Sequence, residues 1–490
     1  MTDHSFYWHD YETFGTDPRR DRPVQFAGVR TDLQFNPVDD PLVVYLKPAD
    51  DCLPHPDACL ITGITPQLAE RQGICEAEFI RLIHQEIARP NTCTLGYNTL
   101  RFDDEVTRNC LYRNFYDPYA REWQHGNSRW DLIDVVRAAR ALRPDGLAWP
   151  NNEDGTPTIR LDRLTVVNGL VHEAAHDALS DVEATIALAR LIRNAQPKLY
   201  QFLFHHRVKT EALKLLQIGG FEPVVHISSK YPSSRHCLAI VLPVAWHPTN
   251  GNGVIVYDLS IDPGPMLELS AEEIRRRIFT ATADLPDGSA RIPLKTVHLN
   301  KCPVLAPVSV IRPLDAARLA IDLESCRSNI AKIKAAAGLT EKIVQAFKAP
   351  SSIETEADPD LAIYQGGFFS DEDKRKMTRL RSMTPEQLAG STLTFADPRL
   401  SEMLFRYRAR NYPESLDSEE GERWRQFCID RLSGRLPGAG ITFDHYFARL
   451  EELKYDESAD KSMLYALESY GVEKMRCLGI ENCKTDLLTV

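Results

Sequence analysis

The chain has 490 residues, 43% of them hydrophobic and 26% charged, with a formal net charge of −11. That length exceeds what a single hydrophobic core organises and predicts two or three domains, while the composition excludes a fibrous or disordered chain. No apolar run is long enough for a bilayer and the opening MTDHSFYWHD lacks the parts of a secretory leader, so a cytoplasmic protein without a membrane partner is expected.

Three acid-bearing patterns follow in chain order. In FYWHDYETFG an apolar run ends in Asp10 and Glu12, two positions apart and therefore on one face of a strand. Two ionised carboxylates on one face repel each other unless a cation such as Mg²⁺ or Mn²⁺ takes up their charge. In TCTLGYNTLRFDDEVTRNCL a short strand turns at Asn98 into a helix opening near Phe102 and Asp103, with Val106, Cys110 and Leu111 on its apolar face. Asp103 then sits at a helix N-terminus near a strand end, where active-site groups collect in α/β sheets. In VHEAAHDALSDVEATIALARLI the residues Ala184, Ile186, Ala187, Ala189 and Ile192 predict an amphipathic helix. His176 lies five before Asp181, ~500° round at ~100° per residue, which puts the histidine in a loop or first turn and Asp181 on the helix proper. Asp104 and Asp177 lie one residue off these positions and are not counted as ligands; Glu173 and Glu183 are expected to face solvent.

Up to about residue 195 strand-like runs alternate with helical segments, as in an α/β domain. From Pro197 a helical stretch leads into EPVVHISS, CLAIVLPVAWHP, GVIVYDLS and PLKTVHL, short β-branched runs split by turns, which predict a small and mostly β module. KAPSSIETEADPD has the composition of a linker, and helical spacing dominates beyond it. The predicted domains are 1–195, 196–349 and 350–490. Eleven cysteines without Cys-x2-Cys pairs are expected to be reduced thiols. The negative net charge argues against a polyanionic partner, but the local field is what phosphates meet, and basic residues cluster at Arg137, Arg140 and Arg143 and again near Arg406 to Arg410.

The Asp-x-Glu pair, the aspartate after a Gly-Tyr-Asn strand and the His-x4-Asp spacing together resemble the DnaQ-like 3′→5′ exonucleases, in the branch with four acids and a histidine base (DEDDh). Longer strings such as HDYETFGTDPRRDRPVQFAGVRTD, LGYNTLRFDDEVTRN, AHDALSDVEATIALA and YQGGFFSDED extend the resemblance over essentially the whole chain. It implies an α/β ribonuclease H-like exonuclease domain, an SH3-like β-barrel domain and an α-helical C-terminal domain. It also implies a processive, Mg²⁺-dependent exodeoxyribonuclease that degrades single-stranded DNA to 5′-mononucleotides in repair and recombination, as a cytoplasmic, nucleoid-associated monomer.

Hydrolysing a phosphodiester needs a water nucleophile, stabilisation of charge on the phosphate, and help for the departing 3′ oxygen; two divalent ions supply much of this. On the resemblance, Asp10 bridges two Mg²⁺ ions, Mn²⁺ being able to substitute, and Glu12, Asp103 and Asp181 complete their shells. His176 accepts the proton of the attacking water, as an imidazole can near neutral pH. The DNA path is implied to include Glu12, Phe14, Arg108, Tyr119, Trp123, Arg160 and, among the basic cluster, Arg137 and Arg143, with aromatics stacking unpaired bases and cations tracking phosphates. The acidic C-terminal tail of the single-stranded DNA-binding protein is the implied protein partner. Two other functions fit the same acids: a ribonuclease or proofreading nuclease of the same branch, and a non-catalytic DNA-binding scaffold that keeps the fold.

Overall fold

The computed structural model describes residues 4–172, 176–348 and 358–480. Its contacts divide the chain into two compact units, one of residues 1–128, 172–183 and 354–490 and the other of residues 129–171 and 184–353. The units therefore do not follow chain order.

The first unit is built on strands β1 (Ser5–Thr13), β2 (Pro23–Thr31), β3 (Leu42–Tyr45) and β4 (Thr92–Leu95), with the two-residue β5 (Ser128–Arg129) at the edge, in the order β3-β2-β1-β4-β5. β1 is central, antiparallel to β2 and parallel to β4. A parallel neighbour requires a crossover, and the helix Glu76–Ile87 supplies it. Its Phe79, Ile80, Ile83 and Ile87, at helical spacing, close over Tyr7, Tyr11 and Phe26 of the sheet.

The C-terminal helices Pro398–Asn411, Ser418–Leu432, Phe443–Lys454 and Lys461–Cys477 share one core with N-terminal segments: Phe405, Trp424, Cys428, Tyr446 and Leu467 pack in the same cluster as Phe14, Val24, Leu53, Cys59 and Ile64. Buried ion pairs join the same parts of the chain. Arg410 bridges Asp51 at 2.8 Å and Asp360 at 2.6 Å, and all three side chains are at most 4% exposed. Against the cost of burial, Arg410, Arg431 and Arg22 hold the Asp51 carboxyl far below the usual range. Removing one partner of such a set leaves a charge stranded in a low-dielectric core, so the arrangement fixes how these segments meet.

The second unit carries an antiparallel sheet of β6 (Val224–Ile227), β7 (Leu238–Trp246), β8 (Gly253–Asp258), β9 (Leu294–His298) and β10 (Val304–Pro307), in the order β10-β6-β7-β8-β9, which agrees with the SH3-like expectation. Alternation along β7 sends Ala239 and Val241 to one face and Ile240, Leu242 and Val244 to the other. The second face is covered by the helices Ala271–Phe279, Leu323–Ala335 and Leu339–Phe347, so the module is more helical than its β-branched runs predicted. No disulfide joins the ten described cysteines. Among the described residues no helix is long and apolar enough to cross a membrane.

Candidate active site

β4 pairs with β1 only from Ser5 to Trp8, whereas β1 runs on to Thr13. Beyond Trp8 one edge of β1 loses its strand neighbour, and a buried backbone N–H there must find another acceptor. Asp103 provides it: the Tyr11 N–H donates to Asp103 Oδ1 at 3.1 Å. The chain can deliver Asp103 to this point because it leaves β4 at Gly96, where a Cβ would lie 2.4 Å from the His9 carbonyl oxygen. It then turns at Asn98 in the left-handed region (φ 71°) and opens the helix Asp103–Arg113. The helix N-terminus favours the carboxylate placed in its first turn.

Asp10 and Glu12 point to one face at this end of β1, Glu12 directly across from Gln25 of β2. Asp181 sits in the first turn of the helix Ala178–Ala195. His176 precedes that helix in a turn with φ 68° and is exposed, as the spacing predicted. One ligand atom each from Glu12, His176 and Asp181 lie within 4.8 Å of one another. Burial pushes the Asp10 carboxyl well above the usual range, and the charges of Asp103, Glu12, Asp181 and Asp177 add to the shift. Glu12 is pushed up to about 8 by burial and then by Asp181, Asp103 and Asp177. Burial also raises Asp181, against the lowering effect of His172 and His176. Oxygen donors that crowd and repel one another in this way fit a divalent cation.

A pH dependence follows. With cation removed, native Glu12 holds a proton that the unfolded chain releases near the ordinary 4.5, so its contribution to stability is complete below that value and is lost as pH rises through about 8. In chelator, the melting temperature of the wild type should fall more steeply than that of Glu12→Gln between about pH 5 and pH 8. Equal slopes in the two proteins would count against the crowded-acid description.

One neighbour of the acids was not anticipated from sequence, and Asp177, set aside there as a ligand, has another task. The His172 side chain is 4% exposed, and its Nε2 lies 2.5 Å from Asp181 Oδ1. Its signal is a second histidine four residues before His176, outside the His-x4-Asp spacing. Asp177 caps the helix instead of joining the acids: its Oδ2 accepts from the Ser180 N–H at 3.2 Å and its Oδ1 accepts from Gln25 Nε2 at 3.1 Å. Asp104 is likewise taken up, by Arg121 at 2.5 Å. Glu173 lies outside the described residues.

The expected DNA contacts divide. Trp123 is 66% exposed and Tyr119 half-buried, so both offer ring surface. Tyr364 and Phe368, 56% and 87% exposed, each have ring centroids 6.4 Å from that of Tyr119, which makes an aromatic surface that the sequence did not assemble. Arg108 was expected as a cation for phosphate. It is buried, paired with Glu122 at 2.7 Å and Glu105 at 2.6 Å, and its guanidinium lies 5.4 Å from the Tyr119 ring centroid. Phe14, expected along the DNA path, is 5% exposed and belongs to the core with Val24 and Leu53. In the second unit Arg137 pairs with Asp134 at 2.6 Å, Arg143 donates to the carbonyls of Leu142 and Val310, and exposed Arg160 pairs with Asp162 at 3.0 Å.

Residues 7–189 match the family model described as Exonuclease, so the acids and the histidine stand within an exonuclease domain. Residues 207–349 match the Exonuclease I SH3-like domain and residues 357–474 the Exonuclease I C-terminal domain. Exodeoxyribonuclease I of Escherichia coli strain K12 is 49% identical over 420 residues, 86% of this chain and 88% of that protein. Exonuclease I from Methylocaldum szegediense superposes with a TM-score of 0.92 at 52% identity, covering 96% of this chain and all (100%) of that one. E. coli exonuclease I in complex with a dA16 oligonucleotide gives a TM-score of 0.92 at 46% identity over 96% of this chain and 100% of that one. The chain belongs to the exonuclease I family.

Proposed function

We propose that the protein is a 3′→5′ exodeoxyribonuclease that hydrolyses single-stranded DNA to 5′-mononucleotides and acts in repair, recombination and mismatch repair. The observation that carries this is the gathering of Glu12, Asp181 and His176 around one point, with Asp103 close enough to raise the carboxyls of Asp10 and Glu12. Asp10, Glu12, Asp103 and Asp181 would hold two Mg²⁺ ions, or Mn²⁺ in their place. Bound there, these ions supply Lewis-acid stabilisation of charge gathering on the scissile phosphate.

The chain's own groups do the rest. His176, exposed beside Asp181, accepts the proton of the attacking water at an imidazole nitrogen and hands it to solvent. His172, donating to Asp181, fixes the orientation of that carboxylate. Unpaired bases stack on Tyr119, Trp123, Tyr364 and Phe368, which favours a single strand over a duplex. Glu12, Arg160, Arg137 and Arg143 are assigned to the strand on family resemblance, with Arg160 exchanging Asp162 for phosphate.

The domain division is proposed as 1–195, 196–349 and 350–490, in line with the three matched ranges. Several weak contacts from these domains acting together would keep the strand bound between cuts and make degradation processive. The protein is placed as a monomer in the cytoplasm at the nucleoid, docking the acidic tail of the single-stranded DNA-binding protein.

Digestion of end-labelled single-stranded DNA, duplex DNA and RNA, with Mg²⁺ and with chelator, tests the proposal. Labelled mononucleotide should appear first from the 3′-labelled single strand, and only with Mg²⁺. Preferred cleavage of RNA, or first release from a 5′ label, overturns it.

A further inference from the structure

Gln25 lies outside the acid motifs, yet it is 2% exposed and stands directly across β1–β2 from Glu12. Its carboxamide reaches toward the segment that carries His176. Nε2 donates to Asp177 Oδ1 at 3.1 Å and to the Tyr45 hydroxyl at 3.0 Å, and Oε1 accepts from the Ala178 N–H at 3.2 Å. One amide therefore grips the side chain of the residue after His176 and the backbone of the residue after that. Asp177 is held at its other oxygen by the Ser180 N–H, so the grip passes into the first turn of the helix that bears Asp181.

His176 itself is a non-glycine residue at φ 68°. A side-chain-bearing residue holds that sparsely populated conformation only where its surroundings impose it. The contacts described for residues 177 and 178 are the restraint on its C-terminal side, and all of them return to Gln25 or to the helix that Gln25 anchors. Glu12 and Gln25 are also a cross-strand pair, so the same rung of the sheet sets a carboxylate and the imidazole.

Resting on the assignment of His176 as the base, we infer that Gln25 is the positioning residue for His176: an amide clamp from β2 that fixes the height and angle of the imidazole over the acids. It acts through Asp177 and Ala178. Misplacing a catalytic group by about 1 Å costs ~10²-fold in rate, so the clamp matters for turnover far more than for binding DNA.

The test is a double-mutant cycle with a reversed pair. Gln25→Ala should lower kcat by ~10–100-fold with KM for single-stranded DNA within about twofold. In a His176→Ala background the same change should cost less than about twofold, because a residue that acts through the imidazole has nothing left to position. Gln25→Glu puts two carboxylates together and should be as slow as Gln25→Ala; adding Asp177→Asn restores an amide–carboxylate pair and should bring kcat back to within about fivefold of wild type. Thermal melts confirm folding of each variant, and should Gln25→Ala not fold, the comparison of Gln25→Glu with Gln25→Glu/Asp177→Asn decides. An unchanged kcat in Gln25→Ala, an equal loss in the His176→Ala background, or no recovery in the reversed pair each overturns the clamp. If His176→Ala is itself fully active, the base assignment fails and takes the clamp with it; if only Gln25→Ala is fully active, the base assignment stands and the clamp alone falls.

Discussion

Asp10→Asn should fold, bind single-stranded DNA and cut it at least about a thousandfold more slowly than the wild type. Lewis-acid stabilisation by bound ions is worth several kcal/mol of barrier, and each 1.36 kcal/mol is about tenfold in rate. Asparagine keeps the shape of the side chain and removes the charge that would bridge two cations. The substitution also relieves a conflict, since Asp10 shares its surroundings with Asp103, Glu12, Asp181 and Asp177. In chelator the variant should therefore melt higher than the wild type, while the rise in melting temperature on adding Mg²⁺ should shrink. Initial rates on a 3′-labelled oligonucleotide, anisotropy of a labelled single strand and melts with and without Mg²⁺ measure the three effects. Cleavage within about tenfold of wild type would remove Asp10 from the centre of the chemistry.

The second large effect is on His176. Its replacement by alanine should lower kcat by ~10²–10⁴-fold, the usual contribution of a positioned general base, with little change in KM. A nitrogen of His176 lies within 4.8 Å of ligand atoms of Glu12 and Asp181, so the same residue has the reach of a ligand. The two roles separate in one measurement. A base leaves the Mg²⁺-induced rise in melting temperature intact in His176→Ala, whereas a ligand takes part of that rise with it. Because the side chain is exposed, added imidazole should reach the gap and recover part of the lost rate. Loss of the Mg²⁺ response together with the rate would reassign His176 to the metal shell.

What was legible in the sequence was what local spacing determines. A two-residue interval puts Asp10 and Glu12 on one face, and a five-residue interval puts His176 in a loop or first turn ahead of Asp181; the structure has both. Asp103 could be placed at a helix start because strand, turn and helix follow one another within a few residues. Partnership across long intervals was not legible. Arg108 read as an available cation because nothing local reveals that Glu122 turns back onto it. Phe14 read as a residue of the DNA path because the helices that bury it lie hundreds of positions away in sequence. Tyr364 and Phe368 meet Tyr119 only after the C-terminal segment folds against the first, and Gln25 gains its meaning only when β2 stands beside β1.

The core that joins Phe14, Leu53 and Cys59 to Trp424, Tyr446 and Leu467 has a consequence for how the molecule is made. As the polypeptide leaves the ribosome, its opening residues carry the acids but lack the surface that completes their hydrophobic packing. That surface is synthesised last, after the whole intervening sheet module. Burial of Asp51 against Arg410 and Arg431 has to await the same late event. Closure over so long an interval is entropically slow, and a chain interrupted before its end keeps apolar surface and buried-type charges open to water. A chain lacking these helices is expected to leave Phe14, Leu53 and Cys59 without the apolar surface that covers them.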